Sequence, residues 1–224
     1  MPVHDSPVRL AVLGPPDLLV TALVTALGMH GVDAEWMPMR ETAAGFPPDT
    51  PDVLIVDVDG HRPAGVIPGA TSAGLTVLAL ASESSRDRVA AAIAEGATGW
   101  LRKSTSIAAL AETVRAIAAG RICMSDEKRA EWLVEYRATS ESVQADLDLL
   151  EQLSPREREV LCLLADGRRA AEIAGLLFLS ITTVRSHIRS VLVKLGVNSQ
   201  QHAADLYRDT SRRVARMIGT TVSP

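Results

Sequence analysis

The sequence predicts an α/β domain built on a parallel sheet, followed by a helical linker and a small all-α domain. Three observations predict it. Over the first hundred-odd residues, short β-branched runs alternate with amphipathic helical stretches, the pattern of a βα-repeating sheet. After Ser154 come three short, separately capped helical segments. Between the two regions the charge changes sign: residues 1–150 hold twelve Lys+Arg against twenty Asp+Glu, net −8, and residues 151–224 hold eleven against seven, net +4. With 47% hydrophobic residues in 224, the chain can bury two cores, and with 3% aromatics those cores must be aliphatic.

Val8 to Leu13 reads as the first strand. After Gly14-Pro15-Pro16, Asp17 is placed to cap a helix whose apolar face runs Leu19, Leu23, Leu27. A short strand at Ala34 to Met37 leads into a loop containing Pro47-Pro48. Pro51-Asp52-Val53-Leu54-Ile55-Val56-Asp57 is the clearest strand, because a continuous apolar run suits a strand buried on both faces. It ends in a carboxylate at its C-terminal edge, where open α/β sheets place ligand chemistry. The Gly- and Pro-rich stretch that follows allows only a short or irregular helix before a strand at Leu75 to Leu80. Arg86 to Glu95 then forms a helix stopped by Gly96, Thr98 to Leu101 a brief strand, and Ser106 to Ala119 an Ala-rich helix stopped by Gly120.

From Asp126 to Leu153 the chain is polar but helical in propensity, with Trp132, Leu133, Tyr136, Val143, Leu147 and Leu150 as its apolar points. Trp132 and Tyr136 lie one turn apart and are expected to pack on the α/β domain rather than on a partner. The expected boundaries are residues 1–122 for the α/β domain, 123–150 for the linker and 151–218 for the C-terminal domain, with a frayed tail at 219–224.

Ser154 as N-cap, Pro155 at the first helical position and Glu157 completing a capping box open the first helix of the last domain. It buries Val160, Leu161 and Leu164 and stops at Gly167. A second short helix covers Ala170 to Leu177, and after Phe178-Leu179 a third starts with Ser180 as its cap; two short helices across a tight turn fit a helix-turn-helix. On the third, Val184, Ile188, Val191 and Leu195 form an apolar face, while Thr182, Arg185, Ser186 and Arg189 fall on another. An arginine fork pairs with guanine O6 and N7 in the major groove, each bidentate pair contributing roughly 1–3 kcal/mol of discrimination. Thr183, His187 and Lys194 are placed to hold phosphates and register. Two arginines alone would be better explained by solvation; the surrounding pattern decides between the two.

That pattern carries a resemblance. The runs Leu153-Ser154-Pro155-Arg156-Glu157-Arg158-Glu159-Val160-Leu161, Glu172-Ile173-Ala174, Leu179-Ser180, Thr183-Val184-Arg185-Ser186-His187-Ile188 and Lys194-Leu195-Gly196-Val197 resemble the DNA-binding domain of NarL/LuxR-type transcriptional regulators over about residues 150–208. The resemblance implies a four-helix domain that binds double-stranded DNA as a homodimer. Arg185, Ser186 and Arg189 take its base-reading positions, and the helix after Asn198 its dimer interface. Arg169-Ala170-Ala171 departs from the family's polar run before Glu172, so a backbone contact there is lost or moves to Arg168 or Arg169.

With that effector, the front half looks like a response-regulator receiver, which implies a doubly wound five-stranded sheet of order 2-1-3-4-5. Asp57 matches the phosphoacceptor, Lys103 the lysine that pairs with the phosphoryl group, and Trp100 the aromatic switch residue. The two acids that the family places after the first strand to hold Mg²⁺ are replaced by Gly14-Pro15, and Ala81 stands where a hydroxyl is expected, with Ser82 one place late. Phosphoryl transfer needs a divalent cation, and Mg²⁺ needs oxygen ligands. The site is therefore read as vestigial, with Asp57 and Lys103 expected to form a direct ion pair. Asp17 and Asp59 are the candidate substitute ligands, but Asp17 is spaced to cap the first helix and Asp59 to offer its backbone carbonyl. The stiff, uncharged Gly14-Pro15-Pro16 loop leaves a pocket for a small molecule or a partner's side chain.

Other classes are excluded residue by residue. Cys123 and Cys162 sit in apolar segments and read as reduced thiols of a cytoplasmic protein; no histidine shows metal-ligand spacing. No nucleophile elbow or P-loop is present, so no enzyme is expected, and no cofactor, Mg²⁺ being the one candidate. No window approaches a membrane span and no signal peptide opens the chain. Three functions remain: a DNA-binding regulator with an atypical receiver, a conventional phosphorylation-dependent regulator with an unusual metal site, and an interaction module that binds another regulator.

Overall fold

A computed structural model describes residues 8–15, 18–39, 46, 51–60, 62–121 and 123–217. Asp17, the Leu19 side chain, Pro47-Pro48 and the tail at 219–224 lie outside the described residues. The chain divides into two compact units, residues 138–215 forming one and the residues up to 137, together with 216–217, the other.

The first unit runs β1 (Arg9–Gly14), α1 (Leu18–Met29), β2 (Asp33–Pro38), β3 (Val53–Asp57), α2 (Val66–Ser72), β4 (Thr76–Ala81), α3 (Arg86–Ala94), β5 (Gly99–Arg102) and α4 (Ile107–Ala118). All strands are parallel, in the order β2-β1-β3-β4-β5. β3 sits in the middle, and its alternate residues feed two cores. Leu54 and Val56 pack with Ile67 of α2 and Ile93 of α3. Val53 and Ile55 pack with Leu27 of α1 and Leu110 of α4. Burial on both faces explains the unbroken apolar run from Val53 to Val56, each buried aliphatic side chain contributing roughly 1.5–3 kcal/mol.

The observed strands β1, β4 and β5 each begin one residue later than the sequence suggests and run one residue further. Hydropathy marks burial, whereas hydrogen bonding also enrols polar and small residues at the C-terminal edge: Ala81 pairs with Arg102, and Gly14 with Pro38. At that edge the Trp36 indole N–H donates to the Gly14 carbonyl at 2.9 Å, closing β2 against β1. Gly96 ends α3 at φ 115, where a Cβ would also meet the Thr71 side chain at 3.3 Å.

The second unit holds α6 (Pro155–Ala165), α7 (Ala170–Leu176), α8 (Ile181–Lys194) and α9 (Gln200–Met217). The linker is one helix, α5 (Asp126–Glu151), whose two halves have different company. Trp132 is buried in the sheet unit with Tyr136 beside it, as expected, while Leu149 and Leu150 pack in the helical unit. Along α8, Val184 and Ile188 pack on Val160 and Ile173, and Val191 and Leu195 pack on Leu161 and Ala203. The Arg208 guanidinium of α9 donates to the Ala165 carbonyl at 2.7 Å, and Arg213 pairs with Asp146 of α5 at 3.0 Å.

The turn between α7 and α8 is strained. Phe178 has φ 55 and is 95% exposed, while its N–H donates to the Gly175 carbonyl and that of Leu179 to Ala174, closing α7 in the αL manner that favours glycine. Left-handed backbone costs an L-residue roughly 1–2 kcal/mol, and glycine's extra chain entropy returns about 0.5–1 of that. Phe178→Gly is therefore expected to stabilise the helical unit by up to about 1 kcal/mol. Chemical denaturation followed by helical circular dichroism checks this; a lower midpoint would mean that the ring contributes packing.

Candidate nucleic-acid interface and carboxylate site

α8 is started by Ser180, whose Oγ accepts the Thr183 N–H at 3.1 Å and lies 2.8 Å from the Thr183 hydroxyl. Its inner face is Val184, Ile188 and Val191. Thr182, Thr183, Arg185, Ser186 and Arg189 are exposed and His187 is half-buried. The chain thus brings six of the seven expected contact residues onto the open part of one helix. Arg156, Arg168, Arg208 and Arg213 are each engaged with an acid of their own unit. Arg185 and Arg189 have no hydrogen bond or ion pair among the described residues. Like charges four residues apart on a helix cost a few tenths of a kcal/mol, roughly, so this pair does not serve the helix itself.

Lys194 is the correction. Its ammonium lies 2.7 Å from Glu157 and donates to the Gln152 carbonyl at 3.2 Å, so it is held inside the unit instead of reaching for phosphate. Glu157 is buried at 7% exposure and works as a node. Its Oε2 accepts the Ser154 N–H at 2.7 Å, completing the capping box, and its Oε1 accepts the Ser190 hydroxyl at 2.6 Å. Hydrogen bonds from Lys194, then Ser190, then Ser154 outweigh burial and hold its carboxyl at about 2, below the usual 4.5. One buried acid therefore fastens α8 to the start of α6. The sequence showed Glu157 only as a capping residue; partners more than thirty positions away leave no local signal.

At the front of α7 the Arg169 N–H donates to the Glu172 carboxylate at 2.8 Å, while Arg168 lies 3.9 Å from the same side chain. Arg168 is thus paired with Glu172, whereas Arg169 meets it only through its main-chain N–H, which leaves its guanidinium without a hydrogen bond or ion pair among the described residues.

In the sheet unit, Asp57 ends β3 and Lys103 follows β5. The Lys103 ammonium lies 2.8 Å from Asp57 Oδ1, the direct pair expected, and also 3.1 Å from Asp59 Oδ2. Asp57 Oδ1 further accepts the backbone N–H of Asp59 at 2.9 Å and of Gly60 at 3.3 Å. Asp59 departs from expectation: its carbonyl accepts the Arg88 guanidinium, while its carboxylate accepts the Ser82 N–H at 2.8 Å and hydroxyl at 2.5 Å. Burial pushes the Asp59 carboxyl up, but hydrogen bonds from Ser82, Ser85 and Lys103 prevail and hold it at about 2. Burial likewise works against the charged Lys103, and the bonds from Asp57 and Asp59 prevail and raise it. Ser82, one place later than a family hydroxyl, is occupied by Asp59.

This donor set does not fit Mg²⁺. A Cβ at position 14 would stand 2.9 Å from Val20 Cγ2, so an acidic side chain there would first have to displace that methyl. Among the described residues no three His, Cys, Asp or Glu side chains converge, and the two acids present already share an ammonium. Asp17 lies outside the described residues. Trp100 packs edge-to-face on Trp132, centroids 5.8 Å apart, with the Arg86 guanidinium 4.7 Å above the Trp132 ring. No single helix among the described residues is long and apolar enough to cross a membrane.

Comparison with known proteins agrees with both units. Residues 151–207 match the family described as bacterial regulatory proteins, luxR family. The chain is 29% identical over 197 residues to the transcriptional regulatory protein LiaR of Bacillus subtilis (strain 168), covering 88% of this chain and 77% of that protein. It is 32% identical over 167 residues to the nitrate/nitrite response regulator protein homolog of Haemophilus influenzae, covering 73% of this chain and 76% of that one. A solved complex of the two-component response regulator RcsB with DNA aligns over 91% of this chain and 98% of that chain, at 20% identity and a TM-score of 0.45.

The Glu157 node makes the helical unit acid-sensitive. A carboxyl lowered from 4.5 to about 2 stabilises the fold fully above pH 4.5, and that stabilisation disappears as pH falls towards 2. The loss is about 3 kcal/mol at about 1.4 kcal/mol per unit. Glu157→Gln is expected to be less stable at neutral pH and to show a flatter pH dependence over that window. Denaturant melts across the acid range measure both, and an unaltered slope would remove Glu157 from this role.

Proposed function

Since this chain belongs to the luxR family of bacterial regulatory proteins, among the response regulators, we propose that it is a sequence-specific, homodimeric transcriptional regulator whose receiver is not switched by ordinary aspartyl phosphorylation. The DNA-binding reading rests above all on Arg185 and Arg189, two exposed guanidinium groups without partners on α8. Their spacing suits two successive base edges in a major groove, with Thr182, Thr183, Ser186 and His187 around them for register and phosphate. The proposed organisation is a receiver-like domain at 1–122, a linker at 123–150 and the DNA-binding domain at 151–218, in the cytoplasm, with α9 as a candidate dimer surface.

Support for an atypical receiver comes from position 14, where glycine supplies no acid and a Cβ would press on the Val20 methyl, and from Lys103, which already neutralises part of the charge on Asp57 and Asp59. A transferring phosphoryl group needs a cation to offset its charge, and the ligands for one are missing among the described residues. The alternative, phosphorylation at Asp57 through an unusual metal site, draws on Asp59, whose carboxylate shares the same ammonium. It requires Lys103 to release both acids first.

Binding-site selection from random DNA tests the reading. A dyad-symmetric operator is expected. Arg185→Ala and Arg189→Ala should each weaken operator binding by about 10- to 100-fold, on the scale of a lost bidentate base contact. Circular dichroism of the variants should be unchanged. Full operator affinity in the double variant would contradict this and favour an interaction module with secondary DNA contacts.

A further inference from the structure

The C-terminal edge of the sheet opens into a cleft of about 710 Å³, within the roughly 300–1,000 Å³ typical of small-molecule sites. Its walls are aliphatic: Val12 and Ile55 from the sheet, Leu23 and Ala26 from α1, Ile107 and Leu110 from α4. Asp57 and Lys103 stand at its polar end.

Most charges around this cleft are already paired. Arg62 also lines it, but both its arms are bonded to Glu95 at 2.7 Å, and Arg102 pairs with Glu83 at 3.2 Å. At the polar end, Asp57 and Asp59 share the ammonium of Lys103, and the Arg88 guanidinium donates to the Asp59 carbonyl. Asp57 Oδ1 accepts from Lys103, Asp59 and Gly60, whereas Oδ2 accepts nothing among the described residues. Oδ2 lies beside Gly60, where a Cβ would approach it to 3.7 Å, so the absent side chain leaves the oxygen open.

We propose that this cleft binds a small amphipathic molecule with an apolar body and a protonated amine, the amine docking on Asp57 Oδ2. Aliphatic walls favour the body by removing its surface from water. The unpaired oxygen selects the head: an amine supplies a charge-assisted hydrogen bond, a carboxylate supplies no donor, and a pure hydrocarbon leaves Oδ2 unsatisfied. The proposal rests on the reading that Asp57 holds neither a metal nor a phosphoryl group.

Dansylcadaverine, a naphthalene with an amine tail, is the probe, and anilinonaphthalene sulfonate its anionic counterpart. Titrated into the full chain, the amine dye should brighten and saturate at one per chain, and the sulfonate should bind more weakly. Asp57→Asn should weaken the amine dye by about 10- to 100-fold, and Ala26→Phe, which fills the cleft, should abolish its binding, with melting curves showing that both variants fold. Failure of the amine dye to bind, equal binding of the sulfonate, or indifference to both substitutions overturns the proposal. Operator binding by the same samples separates the causes: retained with no dye binding, it condemns the cleft alone. Competition by Mg²⁺ would overturn the reading of Asp57 on which the cleft depends.

Discussion

A single ammonium ties the working edge of the sheet. Lys103, just after β5, reaches Asp57 at the end of β3 and Asp59 two residues on, and Asp59 in turn accepts from Ser82 after β4. Three neighbouring strand ends are thereby joined through ionic contacts that lie in the sheet's own functional position. The arrangement is self-sufficient in a way that a metal site is not. The cation that holds the two acids together belongs to the chain, and Gly14 brings no third acid to the site. Asp57 Oδ2 is left without a partner among the described residues, beside an apolar cleft. The electrostatics of the corner follow from this pairing.

The helical unit repeats this device for a different end. Glu157, buried and held ionised by Lys194 and Ser190, fixes the recognition helix to the capped start of α6. All three lysines of the chain are committed in this way, Lys103 to Asp57 and Asp59, Lys128 to Glu131 and Lys194 to Glu157. The unpaired cations of α8 are arginines, whose planar fork suits base edges better than a point charge does. Lys103 and Lys194 serve architecture, as Arg62 and Arg213 do, whereas Arg185 and Arg189 on α8 have no ion-pair partner among the described residues.

Much of this was legible in the sequence because it is local. Val53 to Val56 announced a central strand, Ser154-Pro155 with Glu157 a capped helix, and the spacing of Val184, Ile188 and Val191 the buried side of α8, hence the open side with Arg185 and Arg189. The Asp57–Lys103 pair was legible through the resemblance and the missing acids. Less legible was whatever depends on contacts between distant segments. Asp59 was expected to offer its carbonyl, which Arg88 takes, but its carboxylate also turns to Ser82 and Lys103, because the loop after β4 supplies two donors there. Lys194 was expected on phosphate and is held by Glu157, a residue whose burial no local pattern reveals. The one-residue shift in three strands has the same origin, since pairing partners, not hydropathy, decide where a ladder ends.

The central claim is that Asp57 is an ion-pair partner and not a phosphoacceptor. The most direct measurement is intact-mass analysis of the full chain after incubation with Mg²⁺ and acetyl phosphate, with operator affinity measured on the same sample. The account predicts an unmodified mass and an unchanged affinity. A stable phosphoryl adduct on Asp57 that alters operator affinity would contradict it.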